Sequence, residues 1–221
     1  MSEKIVPDIV VGRLPIYLRA LRYMKDKNQE ILSSQKLGPA EIKKLETTSS
    51  QELGESVGIS AAQIRKDLSQ FGGFGTQGTG YKIDKLIERL SFFLKVNQVW
   101  DVAVIGAGDM GHALTRYQGF SDRGFKISAV FDNNPEIIGK RIGNLVIQSM
   151  DSMTGVVKNA NIAIAMLTVP ASVAQEVTDQ LVDAGIKAIL NYAPISINVP
   201  ENVVVQYIDP SLHLQRMTYY L

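Results

Sequence analysis

The segment Val102-Ala103-Val104-Ile105 runs directly into Gly106-Ala107-Gly108-Asp109-Met110-Gly111, and this junction limits the fold more than any other stretch of the chain. A short, continuously apolar strand is the kind buried on both faces of a parallel sheet. The glycines that follow divide the work of a strand-to-helix turn that holds a pyrophosphate. Gly106 makes the tight bend, Gly108 leaves room for the phosphates, and Gly111 lets the helix pack closely. Residues 112–117 continue as that helix, so the phosphates would lie at its N-terminus.

A G-x-G-x-x-G pattern alone is weak, and its surroundings strengthen it. Residues 127–131 read as a second strand ending in Asp132, near the position where an acid bonds the adenosine ribose hydroxyls. An acid there repels a 2′-phosphate and favours NAD+ and NADH over the phosphorylated coenzymes. A turn acid before Asn133-Asn134-Pro135 is the plainer alternative. Further alternation, with strands at 162–167, 188–190 and 203–207 and a helix at 171–184 stopped by Gly185, predicts a doubly wound, Rossmann-type parallel sheet. Ligands bind beyond the carboxyl ends of such strands. Thr168, Val169 and Pro170, and then Asn191, Ala193 and Pro194, are therefore expected at the nicotinamide end, with ordinary strand-to-helix punctuation as the alternative for either loop.

The N-terminal part has a different character. Residues 13–27 carry an apolar stripe and predict a helix, with Pro15 tolerated in its first turn. Ser49 and Glu52 form a capping-box pattern before a short helix that buries Leu53 and Val57. Gly58-Ile59 turns the chain, and Ser60 caps a second helix with Ile64 and Leu68 inward. That leaves Gln63, Arg65 and Lys66 to reach bases and phosphates in a major groove, while the two-helix pattern by itself also fits a plain helical hairpin. Five glycines and three aromatics between Phe71 and Tyr81, a stretch that includes Gly78, Thr79, Gly80 and Tyr81, predict a glycine-rich wing whose backbone can approach phosphates or a narrow minor groove, rather than a plain linker. Residues 84–96 predict a connecting helix.

Charge agrees with this division. The net charge is +1, yet residues 1–82 hold 12 Lys and Arg against 9 Asp and Glu, while the remainder holds 11 against 13. The chain has no Cys, which excludes disulfides and thiolate metal sites, and His112 and His213 are too far apart in sequence to suggest a metal cluster. Any redox response must come from a bound cofactor. With no leader pattern and no apolar run of spanning length, a soluble, cytoplasmic protein is expected. The expected domains are a winged-helix DNA-binding domain at 1–82, a Rossmann NAD(H)-binding domain at 83–210, and a C-terminal helix at 211–221, too short to stand alone, that docks elsewhere.

Taken together, these residues resemble the Rex family of bacterial redox-sensing transcriptional repressors. The resemblance rests on residues 12–19 (GRLPIYLR), 63–69 (QIRKDLS), Phe71-Gly72, 78–81 (GTGY), 104–108 (VIGAG), Tyr117, 167–170 (LTVP), 185–191 (GIKAILN) and Ile208-Asp209. It implies a homodimer with a swapped C-terminal helix and a double-stranded operator as partner. Arg65 and Lys66 would face the major groove, and residues 78–81 the minor groove. It implies release of DNA by NADH, with NAD+ competing without release. It also implies a switch in which Asp209 pairs with Arg19 in the DNA-competent form and with Tyr117 in the NADH form. The chain has Gln77 where family members often carry a basic residue, and Pro210 where a bulky apolar one is usual.

Two other classes compete with this reading. An NAD-dependent oxidoreductase would need a general acid or base beside its substrate. Here His112 lies in the phosphate turn, His213 in the tail and Lys187 before a strand, so no enzyme activity is expected. A CoA- or other nucleotide-binding protein on a similar sheet is the third possibility, against which Asp132 argues.

Overall fold

The computed structural model describes residues 6–34, 36–72 and 80–221. The chain divides into two compact units, with the boundary between Asn97 and Gln98. The first unit contains α1 (Asp8–Val11), α2 (Leu14–Ser34), α3 (Pro39–Leu45), β1 (Thr47–Thr48), α4 (Ser50–Val57), α5 (Ala61–Ser69), β2 (Tyr81–Lys82) and α6 (Ile83–Phe93). Its core is built from helical stripes: Leu14, Tyr17, Leu18 and Leu21 of α2, Leu53 of α4, Ile64 and Leu68 of α5, and Ile83, Leu86 and Leu90 of α6. Spacings of three and four residues place each set on one helix face.

Because Ile83, Leu86 and Leu90 belong to this core, α6 is part of the first unit rather than the start of the second. The boundary therefore lies at 97/98 instead of the expected 82/83. The helix predicted at 13–27 runs on to Ser34. Thr47 and Thr48 pair antiparallel with Lys82 and Tyr81, which brings the return strand of the predicted wing alongside the segment entering α4. Residues 73–79, including the wing candidates Gly78 and Thr79, lie outside the described residues.

The second unit contains β3 (Trp100–Ile105), α7 (Asp109–Arg116), β4 (Phe125–Asp132), β5 (Arg141–Ile142), β6 (Leu145–Ser149), α8 (Met153–Asn159), β7 (Ile164–Leu167), α9 (Ala174–Ala184), β8 (Ala188–Asn191), β9 (Val204–Tyr207) and α10 (Pro210–Thr218). The sheet order is β5-β6-β4-β3-β7-β8-β9. Every pair from β6 to β9 is parallel, and β5 adds an antiparallel edge. Chain order reverses at β3, flanked by β4 and β7, which is the topological switch point of a doubly wound sheet.

Alternate residues separate onto the two sheet faces. Ala103, Ile105, Ala129, Phe131, Ala165 and Leu167 join Met153 and Val157 of α8 and Leu181 of α9 on one side. Val102, Val104, Val130 and Met166 pack with Ile142 and Ile147 on the other. Both faces being covered explains why these strands read as unbroken apolar runs. Among the described residues no helix is long and apolar enough to cross a membrane.

Candidate dinucleotide cleft and DNA-reading surface

The cleft opens at the carboxyl ends of β3, β4 and β7 and has a volume of about 700 Å³. Gly106 begins it at φ 97°, and a Cβ there would lie 2.7 Å from the Thr168 carbonyl oxygen. Any larger residue would therefore be excluded by strain and by the neighbouring strand together. At Gly111 a Cβ would collide with the Gly106 carbonyl oxygen, which confirms the predicted close packing of α7. Gly108 differs. Its φ is −69°, which any residue adopts, and a Cβ would meet nothing within 4 Å. The space above Gly108 is thus clear for a ligand, beside the first-turn N–H groups of α7, which lack intrahelical acceptors.

Asp132 holds this loop in shape. Its Oδ2 accepts a hydrogen bond from the Ala107 N–H at 2.6 Å, and its Oδ1 accepts from the Asn134 N–H at 2.8 Å. Thr168 braces the other side, with Oγ1 2.9 Å from the Ile105 carbonyl and 2.8 Å from that of Gly106. One hydroxyl hydrogen is shared between two acceptors at the root of the loop.

Of the residues expected from sequence, Gly106, Gly108, Asp109, Met110, Asp132, Thr168, Val169 and Pro170 line the cleft. Ala107 and Gly111 build it from beneath. Tyr117, Asn191, Ala193 and Pro194 are not part of its lining. Tyr117 caps the end of α7 and packs edge-on against Phe120 with ring centroids 5.0 Å apart. The Asn191 amide holds its own loop, donating to the Ile195 carbonyl and accepting from the Ala193 N–H, each at 2.9 Å.

Sequence reasoning did not find Asn133, Met150, Val173, Glu176, Val177 and Gln180, which complete the wall. The last four, Val173 at the N-cap of α9 and the others within its first two turns, follow a 3-4-7 spacing, a pattern shared by core stripes. The polar Glu176 and Gln180 within it were the available signal. Asp109, Asp132 and Glu176 are the charged lining residues, and no Lys, Arg or His is among the described lining.

In the first unit, both helices of the helix-turn-helix are capped as predicted. Ser49 Oγ accepts from the Glu52 N–H at 3.1 Å while Glu52 accepts from the Ser49 N–H at 2.7 Å. Ser60 Oγ accepts from the Gln63 N–H at 3.3 Å. Gly58 sits in the left-handed region at φ 71°, ending α4 so that α5 can follow after one short turn. Arg65 and Lys66 are exposed on α5, and Arg65 Nη1 donates to Ser50 Oγ at 2.8 Å. Burial pushes the Tyr81 hydroxyl upward, against the opposing positive charge of Arg65.

A buried polar cluster pins α5 to α2. The Asp67 carboxylate accepts from Arg13 Nε at 2.6 Å and Nη2 at 2.7 Å, from the Tyr17 hydroxyl at 2.6 Å, and from Gln63 Nε2 at 2.7 Å. Burial alone would raise its pKa, but the hydrogen bonds from Arg13, Tyr17 and Gln63 and the charge of Arg13 outweigh that and hold it below the ordinary value. Burial and the bond to Asp67 push the Tyr17 hydroxyl well up. Sequence patterning gave no sign of this cluster.

Arg19 is exposed on α2. Asp209 caps α10, its Oδ1 accepting from the Ser211 N–H at 2.9 Å, and bonds from Ser211 hold it below the usual carboxylate range. Among the described residues no cluster of His, Cys, Asp and Glu could hold a metal ion.

Comparison with known proteins agrees with this geometry. Residues 97–195 match the family described as CoA binding domain, and residues 5–40 and 39–69 match the family described as putative DNA-binding protein N-terminus. The redox-sensing transcriptional repressor Rex of Chloroflexus aggregans is 46% identical over 97% of this chain and 94% of its own. That of Roseiflexus sp. is 45% identical over 97% and 90%. The crystal structure of the Rex-family repressor RSP in complex with β-NAD+ and operator DNA superposes with a TM-score of 0.84, at 34% identity, covering 98% of this chain and 93% of that one. RSP in complex with β-NADH gives 0.81 at 33% identity, covering 98% and 94%. With this identity along nearly its whole length, the chain belongs to the family of redox-sensing transcriptional repressors Rex.

Proposed function

We propose that this repressor grips a double-stranded operator as a homodimer, that NADH entering the cleft releases the DNA, and that NAD+ competes for the cleft without causing release. The observation that carries the proposal is a combination within one chain. Asp132 is bonded to the glycine-rich loop beside an open Gly108, and a capped recognition helix exposes Arg65 and Lys66. The relative RSP, crystallised with NAD+ and operator DNA and separately with NADH, supports extending both ligands to this chain.

In this reading Gly106, Ala107, Gly108, Asp109, Met110 and Gly111 cradle the pyrophosphate through backbone N–H groups, and Asp132 faces the adenosine ribose. Thr168, Val169 and Pro170 face the nicotinamide side. Asn191, Ala193 and Pro194 open one strand further along the same sheet edge, since Leu167 pairs with Asn191, and would reach the far end of an extended dinucleotide. When bound, the nicotinamide supplies the redox signal, because its two oxidation states differ by one charge. On the DNA side, Gln63, Arg65 and Lys66 face the major groove, Ser49 and Ser60 set the helix ends toward phosphates, and Gly78, Thr79, Gly80 and Tyr81 approach the minor groove. Asp209 exchanges Arg19 for Tyr117 as coenzyme binds, and α10 docks on the partner subunit.

The match to a CoA binding domain favours one competing ligand. The three carboxylates of the cleft, with no cation in its described lining, oppose the extra phosphate of CoA. A gel shift on an operator selected from random duplexes, titrated with NADH, NAD+ and CoA, tests the proposal. Release by NADH, competition by NAD+ and no effect of CoA are expected. Release by CoA alone would overturn the redox reading.

A further inference from the structure

We infer that Asp67 fixes the orientation of the Gln63 side-chain amide, and thereby makes Gln63 a reader of adenine, with its strand, in the major groove. This rests on the DNA-reading role proposed above. Each carboxylate oxygen of Asp67 takes two donors. Oδ1 accepts from Arg13 Nη2 and Gln63 Nε2, and Oδ2 from Arg13 Nε and the Tyr17 hydroxyl. The Asp67 side chain is fully buried; its bond from Tyr17 is buried and those from Arg13 and Gln63 are partly buried, where water competes less than at the surface.

The identity of the atom facing Asp67 follows from chemistry. A carboxylate accepts and does not donate, so Gln63 must turn its NH2 group toward it and its Oε1 away. One N–H is then committed to Asp67. The other N–H and Oε1 form the remaining edge of the amide, on a half-buried residue in the first turn of α5. An adjacent donor and acceptor match N7 and N6 of adenine, the usual partner of a bidentate Gln.

The order of that donor and acceptor along the groove is what the lock supplies. A free amide rotates by half a turn and presents either order, whereas one held by Asp67 presents a single order. An A·T pair is thereby distinguished from T·A at the same step. Arg13 and Tyr17 hold Asp67 in place and do not themselves read DNA; they are positioning residues.

The test measures binding of the full-length protein to its selected operator and to every single base-pair substitution of it, for wild type, Q63A, D67A and R13K. Wild type is expected to prefer A·T over T·A about tenfold at one position of each half-site. Q63A and D67A, the latter leaving no acceptor or donor to hold the Gln63 amide, should level that one preference while leaving the rest of the profile in place. R13K, which keeps the carboxylate, should lower affinity for all duplexes alike and keep the A·T preference. A Q63A profile identical to wild type overturns the inference, and this variant leaves the buried Asp67 its bonds from Arg13 and Tyr17. A D67A profile that retains a preference lost in Q63A overturns the role of Asp67. Failure of the wild type to bind any duplex selectively would instead remove the DNA-reading proposal on which this one stands.

Discussion

The Asp132 carboxylate reaches across the root of the cleft to the backbone N–H of Ala107, 2.6 Å away, so one side chain shapes the glycine-rich loop and, in the proposed reading, also offers its charge to a ribose. Charge-assisted bonds of this kind exceed neutral ones. Replacing Asp132 with Ala is expected to lower NADH affinity by about ten- to a hundredfold and to narrow the preference for NADH over NADPH. Calorimetric titration with the two coenzymes measures both effects. An unchanged preference would show that Asp132 serves the loop alone.

The Asp67 cluster gives the first unit two pH limits. A depressed carboxyl contributes stability that is present above its ordinary pKa of 3.8 and is lost as pH falls from there. The raised Tyr17 hydroxyl works in the opposite direction. Its contribution is whole below its ordinary value of 10.0 and fades as pH rises beyond it. Unfolding of the first unit, followed by circular dichroism across pH, should show both limits. Y17F should lose the alkaline one, and an alkaline limit unaltered in Y17F would assign it elsewhere.

Asp109, Asp132 and Glu176 face an expected dianion without a cation in the described lining. D109N is therefore expected to bind NADH about threefold more tightly than wild type, an exposed-charge effect of the usual small size. Added salt should strengthen wild-type binding slightly by screening the repulsion. Tighter binding at low salt would contradict this account of the cleft.

The proposed switch is tested by D209A and R19A. Each is expected to weaken operator binding or its dependence on NAD+ by about 5- to 150-fold, with thermal unfolding still cooperative. Fluorescence anisotropy with labelled operator reads the change. Wild-type affinity in both variants would remove the pair from the switch.

The cleft was legible in the sequence wherever a residue has few alternatives. Gly106 and Gly111 have no room for a side chain, and the strands are apolar on both faces because both are covered. The α9 wall was not legible. Val173, Glu176, Val177 and Gln180 share the spacing of an ordinary core stripe, and only the tertiary placement of α9 turns that face toward the cleft. The Arg13–Asp67 pair was hidden for another reason. Its partners are 54 residues apart, and a charged residue on a helix reads as solvent-facing until a second helix is packed over it. The boundary shifted to 97/98 because α6 is amphipathic, and amphipathicity alone does not say which neighbour its apolar face will cover.

The hydroxyl of Thr168, held between the carbonyls of Ile105 and Gly106, ties the exit of one strand to the bend leaving another. A mouth fastened in this way is built before its guest arrives, so docking need not wait for a floppy segment to fold. The speed with which such a sensor follows its surroundings would then be governed by how quickly the guest departs.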